Sequence, residues 1–234
     1  AAALALAPLS LATGCLRAAP VAITTPLEHV AVHDPSVIRA VDADGAPLYY
    51  IFGTHITAAT SHDLANWAVF TNGYTAQGNT LYGDLSANLA EPFRWAGEDD
   101  ADCKNGFAVW APHVIYNERY VNADGTTGAY MCYFCTSSTY CRSAIAYAVS
   151  DHIDGGYVYK GTLIYSGFTQ ESAFDKNSNI DKLWTNTHLD ELMAQGRIDA
   201  GFDVNWSEGT RYNTDYAPNA IDPTVFSDTS GKMW

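Results

Sequence analysis

His33-Asp34-Pro35-Ser36-Val37-Ile38 is the stretch that decides the fold, because it recurs. It returns as Ile221-Asp222-Pro223-Thr224-Val225-Phe226, and in altered form as Trp110-Ala111-Pro112-His113-Val114-Ile115. Each copy leads into a Gly turn and then an aromatic run. Asp44-Gly45 precedes Leu48-Tyr49-Tyr50-Ile51-Phe52, Asp124-Gly125 precedes Tyr130-Met131-Cys132-Tyr133-Phe134, and Ser230-Gly231 precedes Met233-Trp234. A proline, an apolar pair, a turn and an aromatic strand spell a β-hairpin written three times. Internal similarity of this kind marks a repeat architecture, and a four-stranded unit repeated about an axis is a propeller blade. The expectation is an all-β chain showing the first two to three blades of a β-propeller.

Outward from the motifs, Val30 to Ile38, Leu48 to Gly53 and Ile56 to Thr60 read as the first three strands. The Ser61–Trp67 turn leads to a fourth at Ala68-Val69-Phe70. In the second unit, Ser143 to Val149 alternates as a half-buried strand should, and Tyr157 to Ile164 closes it. Two long insertions, Thr71 to Gly106 and Gly167 to Pro218, interrupt the repeat, and loops of that length usually carry function. The one helical pattern expected lies within Ile180 to Gln195. The acidic run Glu98-Asp99-Asp100-Ala101-Asp102 lacks the spacing of a calcium loop and reads as solvated.

Of 234 residues, 47% are hydrophobic, enough for a sizeable core. The 12 Lys and Arg against 26 Asp and Glu leave a net charge of −14. Such a surface repels phosphate backbones, so no nucleic-acid partner is expected, whereas a neutral polysaccharide is tolerated. Ala1 to Gly14 resembles the apolar part of an export signal. Leu11-Ala12-Thr13-Gly14-Cys15 is similar to a lipoprotein processing site, which makes a lipidated Cys15 the one route to a membrane. Residues 1–24 are therefore read as a signal- or lipoprotein-like segment with linker, and 25–234 as the N-terminal part of a propeller domain cut at its C-terminus. In an exported chain Cys103, Cys132, Cys135 and Cys141 suit disulfides better than zinc. Four cysteines allow three pairings, of which Cys135 with Cys141, across a hairpin loop, is preferred.

Chemistry concentrates at the motifs. Pro suits a strand start near a propeller axis, and the residue before it is expected to be extended. If first strands line the axis, Asp34 and Asp222 face one channel. Two converging carboxylates are the minimum for glycoside hydrolysis. A single Asp before Pro is more often a turn cap; two in equivalent places favour function. Trp110 is either a sugar-stacking face or a core indole. His33 alone reads as a hydrogen-bonded structural residue. His55 follows Phe52-Gly53-Thr54, whose small residues leave room for a ligand. Asn219 suits a sugar hydroxyl or a turn cap.

Taken together, His33–Ile38, Trp110–Val114, Ser143-Ala144-Ile145-Ala146 and Asn219–Phe226 resemble glycoside hydrolase family 43, the five-bladed propeller glycosidases. Tyr50–His55, Ser61–Trp67 and Tyr212–Pro218 look most like its endo-α-1,5-L-arabinanases. The resemblance implies an exported, inverting hydrolase of plant cell-wall arabinan, with Asp34 as base and Asp222 tuning the acid. Trp110 and the Ala111-Pro112 after it resemble the family's substrate-binding wall, and His33, His55 and Asn219 are kept as further substrate-binding candidates. The family's acid Glu lies after the second Asp. No Glu follows Asp222, and Glu208 precedes it, out of order, so the chain as given is expected to be inactive. Where members carry Asp after Trp-Ala-Pro, His113 stands here. Related enzymes often hold an axial calcium, whose protein ligand would lie beyond Trp234, so no metal residue is named. The rivals are β-xylosidase or α-L-arabinofuranosidase specificity, and a non-catalytic carbohydrate-binding propeller.

Overall fold

The computed structural model describes residues 30–96, 107–137, 143–166, 191, 194–196, 207–208, 211–212 and 219–234. Strands β1 (Ser36–Val41), β2 (Pro47–Gly53), β3 (Thr57–Ser61) and β4 (Ala68–Val69) form one antiparallel sheet in sequence order. Helices α1 (Leu85–Asn88) and α2 (Ala90–Ala96) follow. A second sheet then runs β5 (Trp110–Val121), β6 (Thr127–Ser137), β7 (Ser143–Ser150) and β8 (Val158–Ser166), again antiparallel and in order. A small hairpin, β9 (Ser207–Glu208) with β10 (Arg211–Tyr212), stands apart. The chain is thus mostly β, as two four-stranded meanders with few helices.

The repeat is visible in the turns. Asp42 N–H donates to Ala46 O and Gly45 N–H to Asp42 O. Asn122 with Thr126 and Gly125, and Asp228 with Lys232 and Gly231, make the same pair of bonds. Gly45, Gly125 and Gly231 hold φ of 80°, 85° and 80°. That left-handed conformation is why glycine stands there in all three hairpins.

The motif starts repeat too, but not as an extended residue before Pro. Asp34, Ala111 and Asp222 have φ of 50°, 43° and 55°. At Ala111 the register slips, so that Trp110 pairs with Cys135 and His113 with Tyr133. Ala111 and Pro112 oppose the single Phe134, which is a β-bulge. The bulge turns the residue before Pro off the strand line, and local geometry overrides the general pre-proline preference. The first strand begins at Ser36, after the left-handed Asp34, rather than at Val30.

The first insertion is structural where it is described. Its Tyr74, Leu81, Tyr82, Leu85, Leu89 and Phe93 share one core with Tyr50 and Phe52 of the first sheet and Cys132, Phe134, Ala146 and Ala148 of the second. The small alanines on β7 leave the volume that these larger side chains fill. Asp84 caps α1 by accepting the Ala87 N–H at 3.0 Å. Asn88 donates to the Tyr82 and Tyr157 carbonyls and accepts the Tyr159 N–H. Glu91 accepts from the hydroxyls of Tyr159, Thr162 and Tyr165, pinning α2 to β8. So α1 and α2 lie in this insertion. Of the helical pattern expected within Ile180–Gln195, Glu191 and Ala194 are helical and the Gln195 N–H donates to Glu191 O at 3.0 Å; the rest of that pattern, and the whole acidic run, lie outside the described residues. The other face of the second sheet packs Met131, Tyr133 and Val149 on Val225 and Met233 of the third motif.

Cys132 and Cys135 are free and buried, which overturns the Cys135–Cys141 disulfide. Cys132 sits in the core 3.5 Å from Tyr82 Oη, and the Cys135 thiol donates to Trp110 O at 3.5 Å. Burial pushes both thiols up to about 12, so neither is a thiolate. Cys103 and Cys141 lie outside the described residues.

Candidate active site

The three motif starts meet around one solvent-open cavity of ≈ 490 Å³. Asp34, Pro35 and Ser36 line it from the first motif, Ala111, Pro112 and His113 from the second, and Asp222, Pro223 and Thr224 from the third. Each left-handed residue stands at its rim, so the backbone turn that opens each motif also aims a side chain inward. Two of the three carry carboxylates. Ala111 presents only a methyl group and leaves space between them.

Asp34 is the more tightly held. Gly53 permits this: a Cβ there would lie 2.7 Å from His33 O and 2.3 Å from Val32 Cγ1. The chain before Asp34 therefore packs directly on the end of β2, and Thr54 N–H donates to His33 O at 2.9 Å. The space beside Gly53 is filled by Val32 and His33, not kept for a ligand. Thr54 Oγ1 then donates to Asp34 Oδ2 at 2.7 Å and accepts the Ala111 N–H at 3.0 Å. His33 Nδ1 also bonds Asp34 Oδ2 at 2.7 Å. A carboxylate only accepts, so Nδ1 carries the proton. The Thr54 bond, with the His33 bond and the charges of His33 and His55, holds the Asp34 carboxyl below its usual range despite some desolvation. It stays ionised, as a group that accepts a proton must. Thr54 was not singled out from the sequence. Its signal is positional: the motif valines Val37 and Val114 pair with Ile51 and Cys132, and Thr54 and Cys135 each stand three residues further on.

His113 is half-buried, and burial lowers its pKa. Its Nδ1 accepts the Val225 N–H at 3.0 Å, so the imidazole is neutral with the proton on Nε2. Below the cavity lies the Cys135 thiol, close enough to Asp34 and Asp222 for both charges to act on it.

The remaining candidates stand outside the lining. Trp110 is partly buried, and its Nε1 has no hydrogen-bond partner among the described residues. His55 is exposed, in a left-handed conformation (φ 67°), with its ring 5.4 Å from Tyr74 and its N–H on Val109 O. Asn219 Oδ1 is buried without a partner among the described residues. Glu208 belongs to β9. Among the described residues no three His, Cys, Asp or Glu gather as a metal cluster.

Two β-meanders and a third motif thus bring carboxylates from equivalent motif starts to one open cavity, and two such carboxylates are the minimum that glycoside hydrolysis requires. No family model matches the chain. The extracellular endo-α-(1→5)-L-arabinanase of Thermotoga petrophila is 30% identical over 204 residues, 87% of this chain and 32% of that protein. Endo-α-(1→5)-L-arabinanase 2 of Bacillus subtilis is 30% identical over 207 residues, 88% of this chain and 32% of that protein. The chain thus spans about a third of the length of the curated relatives it matches. The solved endo-1,5-α-L-arabinanase of Thermotoga petrophila superposes with a TM-score of 0.57 at 30% identity, over 89% of this chain and 35% of that one. A family 43 glycoside hydrolase of Bacillus licheniformis gives 0.55 at 29% identity over the same shares. The chain is a glycoside hydrolase family 43, arabinanase-like protein.

Proposed function

We propose that this chain is the N-terminal part of an exported, five-bladed propeller hydrolase that cleaves α-1,5-linked L-arabinan with inversion. The observation that carries the reading is the convergence of Asp34 and Asp222, from equivalent motif starts, on one open cavity. Asp34, the carboxylate kept ionised by Thr54 and His33, takes a proton from water as the water oxygen attacks the anomeric carbon. A general acid outside these 234 residues, in the length that the relatives have in addition, gives a proton to the departing glycosidic oxygen as its bond to the anomeric carbon breaks. An inverting pair sits roughly 6.5–9.5 Å apart to seat that water. Asp222, a second negative charge, keeps the acid protonated at neutral pH. Ala111 belongs to the wall of this cavity and His33 to the support of Asp34, whereas Trp110, His55 and Asn219, outside the lining, are assigned to substrate contacts beyond it. None of these steps runs through a calcium ion.

The relatives' names support arabinan and an extracellular site of action. The acidic surface tolerates a neutral polymer. Export through the Ala1–Gly14 segment, with or without a lipid on Cys15, belongs to the same proposal. The test is hydrolysis by the full-length protein. Debranched arabinan should be cut faster than xylan or an aryl xyloside. Faster release of xylose than of arabino-oligosaccharides would replace this reading with the xylosidase one.

A further inference from the structure

Residues 219–225, which carry Asp222, belong to no strand. Two of their N–H groups are taken instead by side chains of the second sheet. Ser143 Oγ on β7 accepts the Ala220 N–H at 2.7 Å, and His113 Nδ1 on β5 accepts the Val225 N–H at 3.0 Å. The same contact occurs one sheet earlier, where Ser36 Oγ accepts the Val114 N–H at 3.1 Å. Ser36 and His113 each stand two residues after a left-handed motif start, at Asp34 and Ala111. Val114 and Val225 each stand three after the start of the next motif. One clasp is thus repeated, with a hydroxyl in the first place and an imidazole in the second.

We propose that His113 is a positioning residue: by accepting the Val225 N–H it holds the Asp222 turn against the second sheet and fixes the Asp222 carboxylate in the cavity. A non-Gly residue at φ 55° persists only where its surroundings hold it. The Asp222 side chain is exposed and makes no hydrogen bond among the described residues; its backbone contacts the Cys135 thiol. His113 can act as the clasp only while Nδ1 is unprotonated. The ionisable groups sharing the cavity lining with it are Asp34 and Asp222, and the Cys135 thiol beneath stays protonated. The consequence for catalysis rests on the tuning role proposed for Asp222; the clasp itself does not.

The test uses full-length protein with His113→Leu, His113→Asn and Asp222→Asn. Two readouts are taken: hydrogen exchange at the Val225 amide, and the pH profile of kcat/KM on debranched arabinan. His113→Leu should speed Val225 exchange and lower kcat, each about 10-fold for one lost hydrogen bond and one orphaned N–H, with β6 core amides unchanged. It should also shift the alkaline limb of the profile to lower pH, because the acid loses a fixed negative neighbour. His113→Asn, whose side-chain carbonyl replaces Nδ1 as acceptor, should restore all three. Unchanged Val225 exchange in His113→Leu would overturn the clasp. Faster exchange with unchanged kcat and profile would overturn the positioning role. If His113→Leu does not fold, His113→Asn decides alone, since wild-type exchange and profile support the proposal and their loss overturns it. Should Asp222→Asn leave kcat and the profile unchanged, the tuning role fails, and the exchange data still decide the clasp.

Discussion

Thr54→Val removes a hydroxyl and almost nothing else, and two bonds go with it. The first is the 2.7 Å bond to Asp34 Oδ2. A hydrogen bond to a charged group contributes about 1.5–3 kcal/mol. The Asp34 side chain is 40% exposed, so water refills part of the gap and the lower end applies. The second is the 3.0 Å bond from the Ala111 N–H. Ala111 is 7% exposed, water does not reach it, and the orphaned donor costs about 1–3 kcal/mol. Together the full-length protein should lose about 2–5 kcal/mol in urea unfolding at pH 7. Thr54→Ser keeps both bonds and should lose only about 1 kcal/mol for the missing methyl. The acid side changes in a defined direction. The folded Asp34 pKa lies below the ordinary 3.8, and Thr54 is the largest cause. Stability from that shift is present above 3.8 and is lost as pH falls through the folded value. Thr54→Val should therefore lose less on acidification than wild type, and the acid limb of its rate profile should move to higher pH. A Thr54→Val protein within about 0.5 kcal/mol of wild type, or a Thr54→Ser protein as damaged as Thr54→Val, would refute this account of how Asp34 is held.

If Trp110 stacks on sugar, Trp110→Ala should raise KM for arabino-oligosaccharides and leave Tm nearly unchanged; a loss of about 3–5 kcal/mol would mark a core indole instead. Alkylation after unfolding without reductant, followed by peptide mass spectrometry, should find Cys132 and Cys135 labelled, and an unlabelled Cys135 linked to Cys141 would restore the disulfide. Residues 25–234 expressed alone should aggregate or pack loosely and show no arabinan hydrolysis, because each repeat buries its faces on its neighbours. A cooperatively melting, active product would mean that a carboxylate within 25–234 is the acid, with Glu208 the first to replace.

Much of the fold is legible because Pro and Gly act locally. The three Pro-x-Val motifs and the glycines at 45, 125 and 231 fix turn and strand start wherever the rest of the chain goes, and β7 lies where alternation puts it. What escapes depends on tertiary context. The helices are four and seven residues long, too short for a periodic window. Leu85, Leu89 and Phe93, spaced by four after the capping Asp84, were a readable signal. The left-handed turns at Asp34, Ala111 and Asp222 run against the ordinary pre-proline preference, and the bulge at Ala111 appears only once β5 pairs with β6. Cys132 and Cys135 are thiols because β6 is buried on both faces, which spacing alone does not reveal. In the candidate site the lining carboxylates Asp34 and Asp222, and Ala111 between them, are legible from repetition. Thr54 and the His113 clasp are legible only by comparing equivalent positions from one motif to the next.

The central claim is that Asp34 is the base of a glycosidase, and one substitution addresses it most directly. Asp34→Asn in the full-length protein keeps shape and hydrogen-bonding reach and removes the ability to take a proton. Turnover of debranched arabinan should fall ~10²–10⁴-fold, while arabino-oligosaccharide binding, followed by calorimetry, changes far less. Near-wild-type turnover by Asp34→Asn would contradict the account.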